Sequence, residues 1–368
     1  MRVLQVVTHM NRGGLETMIM NYYRHIDREK VQFDFLTHRA NHCDYDDEIE
    51  TLGGKIYRLP VLNPWNIQYR RKLDMFFDAH PEYHVIHVHQ DCMSSVILKI
   101  AKRHNIPVRI AHSHNSNQDK NFKYPIKLLY RQKIPKYATV LFACGKEAGQ
   151  WMFRGNKFEI LNNAIEAKEY TFNAERREIQ RNRLGISRDC ILLGHVGRFC
   201  YAKNHSFLID VFAKVCKKKN AKLLLIGDGE LRKQIEEKVK VLNLTDKVIF
   251  TGVRPDVSEL MQAMDVFVFP SIYEGVPVTL IEAQASGLPC IISDKIPIEC
   301  KKTDLVQQIA LAEGADIWAD KISEMAQIKR KDTYNEIKAS GFDIEENAKK
   351  LQEFYLHVLD GKDKLCLY

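Results

Sequence analysis

The chain has 368 residues, which is too long for one ordinary hydrophobic core and sufficient for two domains. Its apolar fraction of 45% and charged fraction of 28% are typical of a folded globular protein and exclude the disordered and fibrous classes. The net charge of +8 suits an anionic small molecule or an anionic lipid surface, although an ordinary solvated surface explains it equally well. The sequence has no basic stripe interleaved with aromatic residues, so we do not expect a nucleic-acid partner.

No apolar run is long enough to cross a bilayer, and the N-terminal apolar stretch is too short for the core of a signal peptide. We therefore expect a cytoplasmic protein whose first apolar stretch is a β-strand. The nine cysteines form no CxxC pair and have no zinc-finger spacing, so we expect reduced thiols that are mostly buried.

Short β-branched runs alternate with amphipathic stretches along the whole chain. This alternation predicts right-handed βαβ units with parallel sheets, and hence an α/β fold. The predicted strands of the first half are residues 3–8, 31–37, 85–89, 108–112 and 139–143, with helices at 15–26 and 93–104. The predicted strands of the second half are residues 190–196, 222–227, 247–251, 265–269 and 289–293, with helices at 207–217, 229–242 and 277–286.

A polar, highly charged stretch without a strand pattern separates two similar α/β blocks. We predict an N-terminal domain at 1–165, a linker at 166–185 and a second domain at 186–341. The apolar spacing of 342–359 predicts a C-terminal helix, within 342–368, that packs back across the domain junction. Two doubly wound domains facing a central cleft would bind ligands beyond the carboxyl ends of their strands.

The segment 265–289 predicts a strand, a loop and a helix. Pro277 suits the first helical position, and Gly275, Val276 and the following residues would present free N–H groups to a diphosphate. Glu282, within that helix, could reach the hydroxyls of a ribose, and Glu274 could do the same for a sugar ring. The alternative is that Glu274 is a loop charge and Glu282 a surface residue.

A second loop follows the predicted strand 190–196. Gly197 allows close backbone approach, and Arg198 and Lys203 could neutralise a diphosphate leaving group. Asn204 suits the N-cap of the next helix. Two solvated cations in a loop are the alternative.

Two further glycine pairs follow predicted strands. Gly227 and Gly229 form a strand-to-helix turn that lacks the third glycine of a dinucleotide fingerprint, so we expect a turn without direct chemistry. Gly13 and Gly14, which open the first helix, allow a ligand close to the backbone, and a plain tight turn is an equal alternative.

Four histidines, His87, His89, His112 and His114, lie at the ends of predicted strands. They could form a metal site, but no nearby cysteine or carboxylate completes a ligand pattern, so most are simpler to explain as core residues. We favour a function for His114, whose imidazole in the cleft could bind a sugar hydroxyl or a developing charge. The acidic DxD pattern at 44–46 lies in a helix-like run, which favours a solvated face over a metal site.

With these residues, the chain resembles glycosyltransferase family 4, a group of GT-B enzymes, and in particular the bacterial exopolysaccharide and capsule glycosyltransferases. The resemblance covers nearly the whole chain and rests on residues 13–27, 112–115, 197–199, 203–205, 227–229 and 274–283. It implies the GT-B fold of two Rossmann-like domains, a nucleotide-sugar donor held mainly by the second domain, an acceptor on the first, retention of configuration, and no essential metal or cofactor. Ala164 is a departure at the hinge, at a position where the family usually has glycine.

The resemblance also implies roles for individual residues. The implied catalytic residues are His114, Arg198, Lys203 and Glu274. The implied donor-binding residues are Gly13, Gly14, Gly197, Val253, Arg254, Gly275, Val276, Pro277, Thr279 and Glu282.

The expected reaction is sugar transfer from a UDP-sugar to a glycan, such as a polyprenyl-diphosphate sugar, by front-face attack. A GT-B nucleotide-sugar epimerase and a non-catalytic sugar-nucleotide-binding protein are the alternatives, and the missing GxGxxG disfavours a dehydrogenase. The basic, amphipathic stretch 117–136 predicts either peripheral binding at the inner face of a bacterial membrane or a helix packed on its own sheet.

Overall fold

The computed structural model describes residues 1–115 and 124–360. The chain divides into two compact units. The first unit comprises residues 1–164 and the C-terminal residues from 344, and the second unit comprises residues 165–343. No helix within the described ranges is both long and apolar enough to cross a membrane.

The first unit is built on a seven-stranded sheet in the order β3-β2-β1-β4-β5-β6-β7, with every neighbouring pair parallel. Its strands are β1 (Arg2–Val6), β2 (Gln32–Thr37), β3 (Ile56–Arg58), β4 (Val85–Val88), β5 (Val108–Ser113), β6 (Val140–Ala143) and β7 (Glu159–Ile160). The five predicted strands are confirmed. β3 and β7 were not predicted, because two or three residues are too few to establish a periodic pattern.

Among the residues that the structure describes, seven α-helices join the strands of this sheet. They are α1 (Gly14–His25), α2 (Asp46–Thr51), α3 (Ile67–Ala79), α4 (Ser94–Arg103), α5 (Tyr124–Arg131), α6 (Ile134–Tyr137) and α7 (Lys146–Phe153). Apolar side chains on both faces of the sheet are buried, as expected for parallel strands that are covered by helices on each side.

The second unit has a six-stranded parallel sheet in the order β10-β9-β8-β11-β12-β13. Its strands are β8 (Ile191–Val196), β9 (Ala221–Ile226), β10 (Val248–Gly252), β11 (Val266–Phe269), β12 (Cys290–Ser293) and β13 (Val306–Ile309). Its helices are α8 (Ala167–Tyr170), α9 (Ala174–Arg183), α10 (His205–Lys218), α11 (Arg232–Val241), α12 (Val257–Ala263), α13 (Val278–Ala285), α14 (Gly314–Met325) and α15 (Tyr334–Ala339). Only β13 was not predicted, because two glutamines interrupt its apolar pattern.

The polar stretch 166–185, which we expected to be a linker, contains α8 and α9 within the second unit. Arg177 and Arg181 of α9 donate to the two carboxylate oxygens of Asp265, over 2.5 and 3.0 Å. The charges of this stretch therefore fix α9 beside β11 instead of marking a solvated connection.

The C-terminal helix α16 (Ile344–His357) belongs to the first unit, where it packs against α1. Tyr355 contacts Phe33 of β2, and Phe354 contacts Phe142 of β6. The last helix thus completes the core that the first 164 residues begin.

The eight cysteines in the described ranges form no disulfide, and all but Cys200 and Cys216 are buried. This confirms the expectation for that part of the chain.

Candidate active site

Three loops of the second unit, two that carry most of its predicted donor residues and the Gly227 turn between them, follow three neighbouring strands. Loop 197–204 follows β8, the Gly227 turn follows β9, and loop 270–277 follows β11. Since β8 lies between β9 and β11, the three loops leave the same edge of the sheet at the point where the strand order reverses. Crevices at such switch points are where doubly wound sheets bind ligands.

Two glycines allow the turn after β9 to lie directly on the loop after β8. A Cβ on Gly227 would lie 2.2 Å from the carbonyl oxygen of Gly197, and a Cβ on Gly229 would lie 2.6 Å from that of Phe199. Gly227 also has a φ of +135°, which side chains disfavour. This agrees with the expected turn: its glycines support the neighbouring loop.

Lys203 and Glu274 form an ion pair at this edge of the sheet. The Nζ atom of Lys203 lies 2.6 Å from Oε1 of Glu274, and their side chains are only 17% and 12% exposed. The same Nζ lies 4.6 Å from the ring centre of Phe269, at the end of β11. A Cβ on Gly197 would lie 3.3 Å from the Lys203 side chain, so the glycine leaves room for it. The fold thus brings together Gly197, Lys203 and Glu274.

Arg198 is placed differently. Its side chain is 69% exposed, and Nη2 donates over 3.0 Å to Glu230. An exposed ion pair of this kind is worth about 0–1 kcal/mol, so a diphosphate could take over the guanidinium at little cost. In this structure Arg198 does not join the Lys203–Glu274 pair.

The helix α13 begins at Val278, with Pro277 as its N-cap, one residue later than predicted. Gly275 and Val276 are buried directly before it. The hydroxyl of Thr279, in the first turn, is buried and has no hydrogen-bond partner among the described residues. The first N–H groups of a helix have no partner within the helix, so this terminus offers several donors together.

Glu282 is buried on α13, which excludes the alternative of an exposed surface residue. Burial raises the pKa of its carboxyl to about 7, and a hydrogen bond with Tyr170 of α8 partly offsets this. A carboxyl group in this environment gains most from a ligand that donates hydrogen bonds to its charged form.

Three sequence-predicted residues lie at the margin of this arrangement. Val253 is exposed and Arg254 pairs with Asp256, in the segment after the edge strand β10. Asn204 occupies the N-cap of α10, as predicted, but with a left-handed φ of +56° and without a side-chain bond to the helix; its side chain donates instead to the carbonyl of Pro270. That bond ties loop 197–204 to loop 270–277.

Two buried histidines behind this loop were not predicted. His195 stacks near Phe269, and His205 stacks on Phe199. Burial lowers their pKa values to about 4 and about 2, so both rings are neutral. His195 lies in an apolar strand and His205 in the first turn of a helix. Apart from the residue type, nothing in the local sequence pattern indicates a role for either of them.

In the first unit, Gly13 is the N-cap of α1 and Gly14 its first residue. A Cβ on Gly13 would lie 2.4 Å from Oε2 of Glu16, whereas a Cβ on Gly14 would meet nothing within 4 Å. The side chain of Glu16 folds back over the helix start, and its carboxylate would have to move to admit a side chain at Gly13. A ligand site at this turn stays a prediction.

The DxD pattern at 44–46 is not a solvated face throughout. Asp46 is buried, accepts from the N–H of Cys43 and pairs over 2.6 Å with Arg58. Asp44 accepts from the N–H of Arg12. The expectation of a solvated face is wrong for Asp46, whose contacts stabilise the start of α2.

The predicted histidines form one cluster at the ends of β4 and β5. Ligand atoms of His87, His89 and His112 all lie within 4.8 Å of one another, a geometry that could hold a metal ion. Nδ1 of His89 lies 2.8 Å from Nε2 of His114. Burial lowers the pKa of all four rings, that of His114 to about 3.

The amphipathic stretch is described only in part. Lys120 and Lys123 lie outside the described residues. In α5, Leu129 is exposed, whereas Arg131 is buried over the ring of Trp151 at 4.8 Å. One end of the stretch is therefore packed on its own unit.

Comparison with known proteins identifies the family. A family model described as "Glycosyltransferase Family 4" matches residues 12–169, and one described as "Glycosyl transferases group 1" matches residues 176–339. The chain is 38% identical over 371 residues to the glycosyltransferase EpsF of Bacillus subtilis, with 96% of each chain covered. It is 22% identical over 300 residues to UDP-Gal:alpha-D-GlcNAc-diphosphoundecaprenol alpha-1,3-galactosyltransferase of Escherichia coli, covering 76% of this chain and 77% of the other.

Solved structures agree on the fold. HepE of Anabaena, in complex with UDP-glucose, matches with a TM-score of 0.79 at 16% identity, covering 96% of this chain and 99% of that one. WaaG, a glycosyltransferase involved in lipopolysaccharide biosynthesis, matches with a TM-score of 0.71 at 18% identity, covering 98% of this chain and 100% of that one. The two parallel-sheet units are therefore the Rossmann-like domains of the GT-B fold, and the chain is a glycosyltransferase that belongs to glycosyltransferase family 4.

Proposed function

We propose that this enzyme transfers a sugar from a UDP-sugar, with retention of configuration, to a lipid-linked glycan in bacterial surface polysaccharide biosynthesis. The observation that carries this proposal is the Lys203–Glu274 pair, with its 2.6 Å contact, at the switch point of the second unit. A cation for the diphosphate and a carboxylate for sugar hydroxyls are thereby held side by side.

In the proposed reaction the bond between C1 and the phosphate oxygen breaks, and a bond from C1 to the acceptor oxygen forms on the same face. The leaving phosphate takes the acceptor proton. Lys203, Arg198 and the N–H groups at the start of α13 stabilise its developing negative charge. Glu274, already paired with Lys203, is better suited to hold sugar hydroxyls than to attack C1, which favours the front-face route. A covalent sugar adduct on Glu274 would contradict this route.

Two relatives support the choice of substrates. HepE is a GT-B protein solved with UDP-glucose, and the E. coli relative is by its name a transferase from UDP-Gal to a diphosphoundecaprenol-linked sugar. For the present chain, Thr279 and Glu282 are the groups that we propose for the nucleotide. The proposed reaction needs neither a metal nor another cofactor.

The nucleotide is tested by thermal-shift titration with UDP, GDP and ADP. UDP should give the largest stabilisation, because, at equal concentrations, the ligand that binds the folded state most tightly stabilises it most. A larger shift with GDP or ADP would contradict the UDP donor. Glu282→Gln serves as the matched variant, since it keeps the side-chain shape and loses the carboxylate.

The reaction is tested by mass spectrometry with UDP-sugars and a set of polyprenyl-diphosphate sugars. Transfer to a lipid-linked acceptor is expected. Conversion of the donor alone to an epimer would indicate the epimerase. Binding of UDP with neither transfer nor hydrolysis would indicate a non-catalytic protein.

We also propose peripheral binding to the anionic inner face of the membrane through residues 117–136. Exposed Leu129 and the lysines of this stretch support it, because apolar and basic groups together favour an anionic interface. In vesicle co-sedimentation at low salt, changing Lys120, Lys123 and Lys127 to glutamate should abolish binding. The same change of the three lysines at 217–219, in the second unit, is the control with equal net charge. Equal loss in both variants would indicate only a general charge effect.

A further inference from the structure

A continuous chain of hydrogen bonds runs through the histidine cluster of the first unit and includes two residues that the sequence analysis did not single out. We call it the relay, and its members lie on β1, on β4 and β5 or just beyond them, and on α16. In order they are His114, His89, Gln5, Tyr355, His87 and His112.

One end of the relay runs from Gln5 to His114. Nε2 of His89 lies 2.9 Å from Oε1 of Gln5, and Nδ1 of His89 lies 2.8 Å from Nε2 of His114. An amide oxygen can only accept, so the proton of His89 must be on Nε2. Its Nδ1 then has only a lone pair and must accept from an Nε2–H of His114.

The other end runs from Gln5 to His112. Nε2 of Gln5 donates to the hydroxyl of Tyr355 over 3.4 Å, and that hydroxyl lies 2.7 Å from Nδ1 of His87. The Tyr355 proton therefore goes to His87, whose own proton is on Nε2 and donates to Nδ1 of His112 over 3.2 Å. The relay ends at Nε2 of His112, which is buried without a partner among the described residues.

The amide of Gln5 decides the direction of the whole relay, because each neutral imidazole carries one proton and passes the choice to the next. Burial keeps the rings neutral by lowering the pKa of each histidine. With the amide reversed, every tautomer would reverse as well. The state of His114 is thus set by a side chain that it does not touch.

We propose that the relay holds His114 as the neutral Nε2–H tautomer, so that its Nδ1 accepts a hydrogen bond from a hydroxyl of the sugar substrate, with Gln5, His89 and Tyr355 as positioning residues. The contact with a sugar rests on the proposed function, whereas the tautomer does not. Of the two roles that the sequence left open for His114, this selects the sugar hydroxyl: an Nδ1 that has only a lone pair can accept from a hydroxyl but cannot donate to a developing negative charge.

A metal ion is the competing explanation of the cluster. A metal ion would need the lone pairs of His87 and His89 that already accept hydrogen bonds in the relay. It would also place two positive charges among buried neutral rings, with no carboxylate ligand in the cluster to balance them. Stoichiometric zinc in the purified enzyme, lost on chelation together with the relay tautomers, would overturn the proposal.

The tautomer is measured by long-range ¹H–¹⁵N correlation on protein labelled at histidine, with His114→Gln to assign the signal. At pH 7.5 the protonated nitrogen of His114 should be Nε2. A proton on Nδ1, or on both nitrogens, would overturn the proposal. Because this readout needs no turnover, it decides the tautomer even if the enzyme proves inactive on every donor.

Gln5→Glu gives a pattern that a merely structural role would not produce. A carboxylate at this position only accepts, so it still takes the proton of His89 and leaves His114 unchanged. Tyr355 must now donate to Glu at position 5, which reverses the tautomers of His87 and His112. Reversal of His114 as well, or of no ring, would count against the relay.

Tyr355→Phe provides a second, milder test. Loss of the hydroxyl frees the Gln5 amide, so His114 should become a mixture of tautomers, and hydrolysis of UDP-glucose should slow by about fivefold, as for one lost neutral hydrogen bond. The affinity for UDP should not change, because UDP lacks the transferred sugar whose hydroxyl His114 would contact. Tyr69→Phe is the matched control, since its buried hydroxyl bonds His38 outside the relay. A weaker UDP affinity in Tyr355→Phe, or an equal effect of both variants on hydrolysis, would overturn the positioning role.

Discussion

The Lys203–Glu274 pair allows stability and catalysis to be separated. At 2.6 Å and an effective dielectric of about 20, the two charges attract by about 6 kcal/mol, most of which offsets their desolvation. Removing one partner of a buried pair costs about 3–5 kcal/mol, and the residual exposure of these two side chains lowers that to about 2 kcal/mol. Lys203→Met should therefore lower the unfolding temperature of the second unit by about 4–8 °C.

Glu274→Gln should have a similar cost, and the double variant should cost less than the sum, because neither charge is then left without its partner. Turnover should behave differently. Lys203→Met should reduce it about 100-fold through loss of charge stabilisation at the leaving diphosphate, and the double variant should not recover it.

Arg198→Met is the matched control for this experiment. Its exposed pairing with Glu230, worth about 0–1 kcal/mol, predicts a shift of at most about 2–4 °C, while turnover again falls about 100-fold. Thermal unfolding and UDP-glucose hydrolysis, measured on the same preparations, give both quantities. Near-normal turnover in Lys203→Met and Arg198→Met would refute the assignment of these cations to the diphosphate. Additive stability losses in the double variant would refute the coupling.

Three further predictions concern the second unit. Burial raises the pKa of Glu282 from 4.5 to about 7, so the protonated carboxyl favours the folded state. The free energy of unfolding should therefore be highest below pH ~4.5 and should fall by about 3 kcal/mol as the pH rises through about 7. Glu282→Gln should therefore unfold at a higher temperature than wild type at pH 8 and at the same temperature at pH 4.5, and an equal shift at both values would contradict this. Thr279→Val should leave stability unchanged or raise it slightly, because the buried hydroxyl has no partner in the described residues. The same variant should bind UDP about fivefold more weakly in calorimetry. An unchanged affinity would show that Thr279 does not belong to the site. Gly227→Ala should destabilise the unit by more than about 2 kcal/mol in urea unfolding. Gly185 has a φ of +63° but open space where a Cβ would lie, so Gly185→Ala should cost only about 1 kcal/mol. Equal costs would show that φ alone matters.

Much of the fold could be predicted because parallel strands covered on both faces are nearly continuous apolar runs. All ten predicted strands are confirmed on this basis. The three missed strands have two to four residues or an interrupted pattern, and the two helices at 166–185 are so polar that they were expected to be a linker. In such segments the partners that justify the structure, such as Asp265 for α9, lie far away in the chain.

The sequence by itself determined the α/β class and the two-block organisation, and it indicated candidate donor residues next to strand ends, because strand periodicity and glycine-rich turns are local properties. The tertiary structure decided which of these side chains meet. It pairs Lys203 with Glu274 across 71 residues, and it leaves Arg198 in solvent. It also brings Tyr355 to Gln5 across 350 residues, which makes one hydrogen-bonded relay of histidines that the sequence offered separately. Contacts of this kind depend on strand order and helix docking, and no local pattern encodes either.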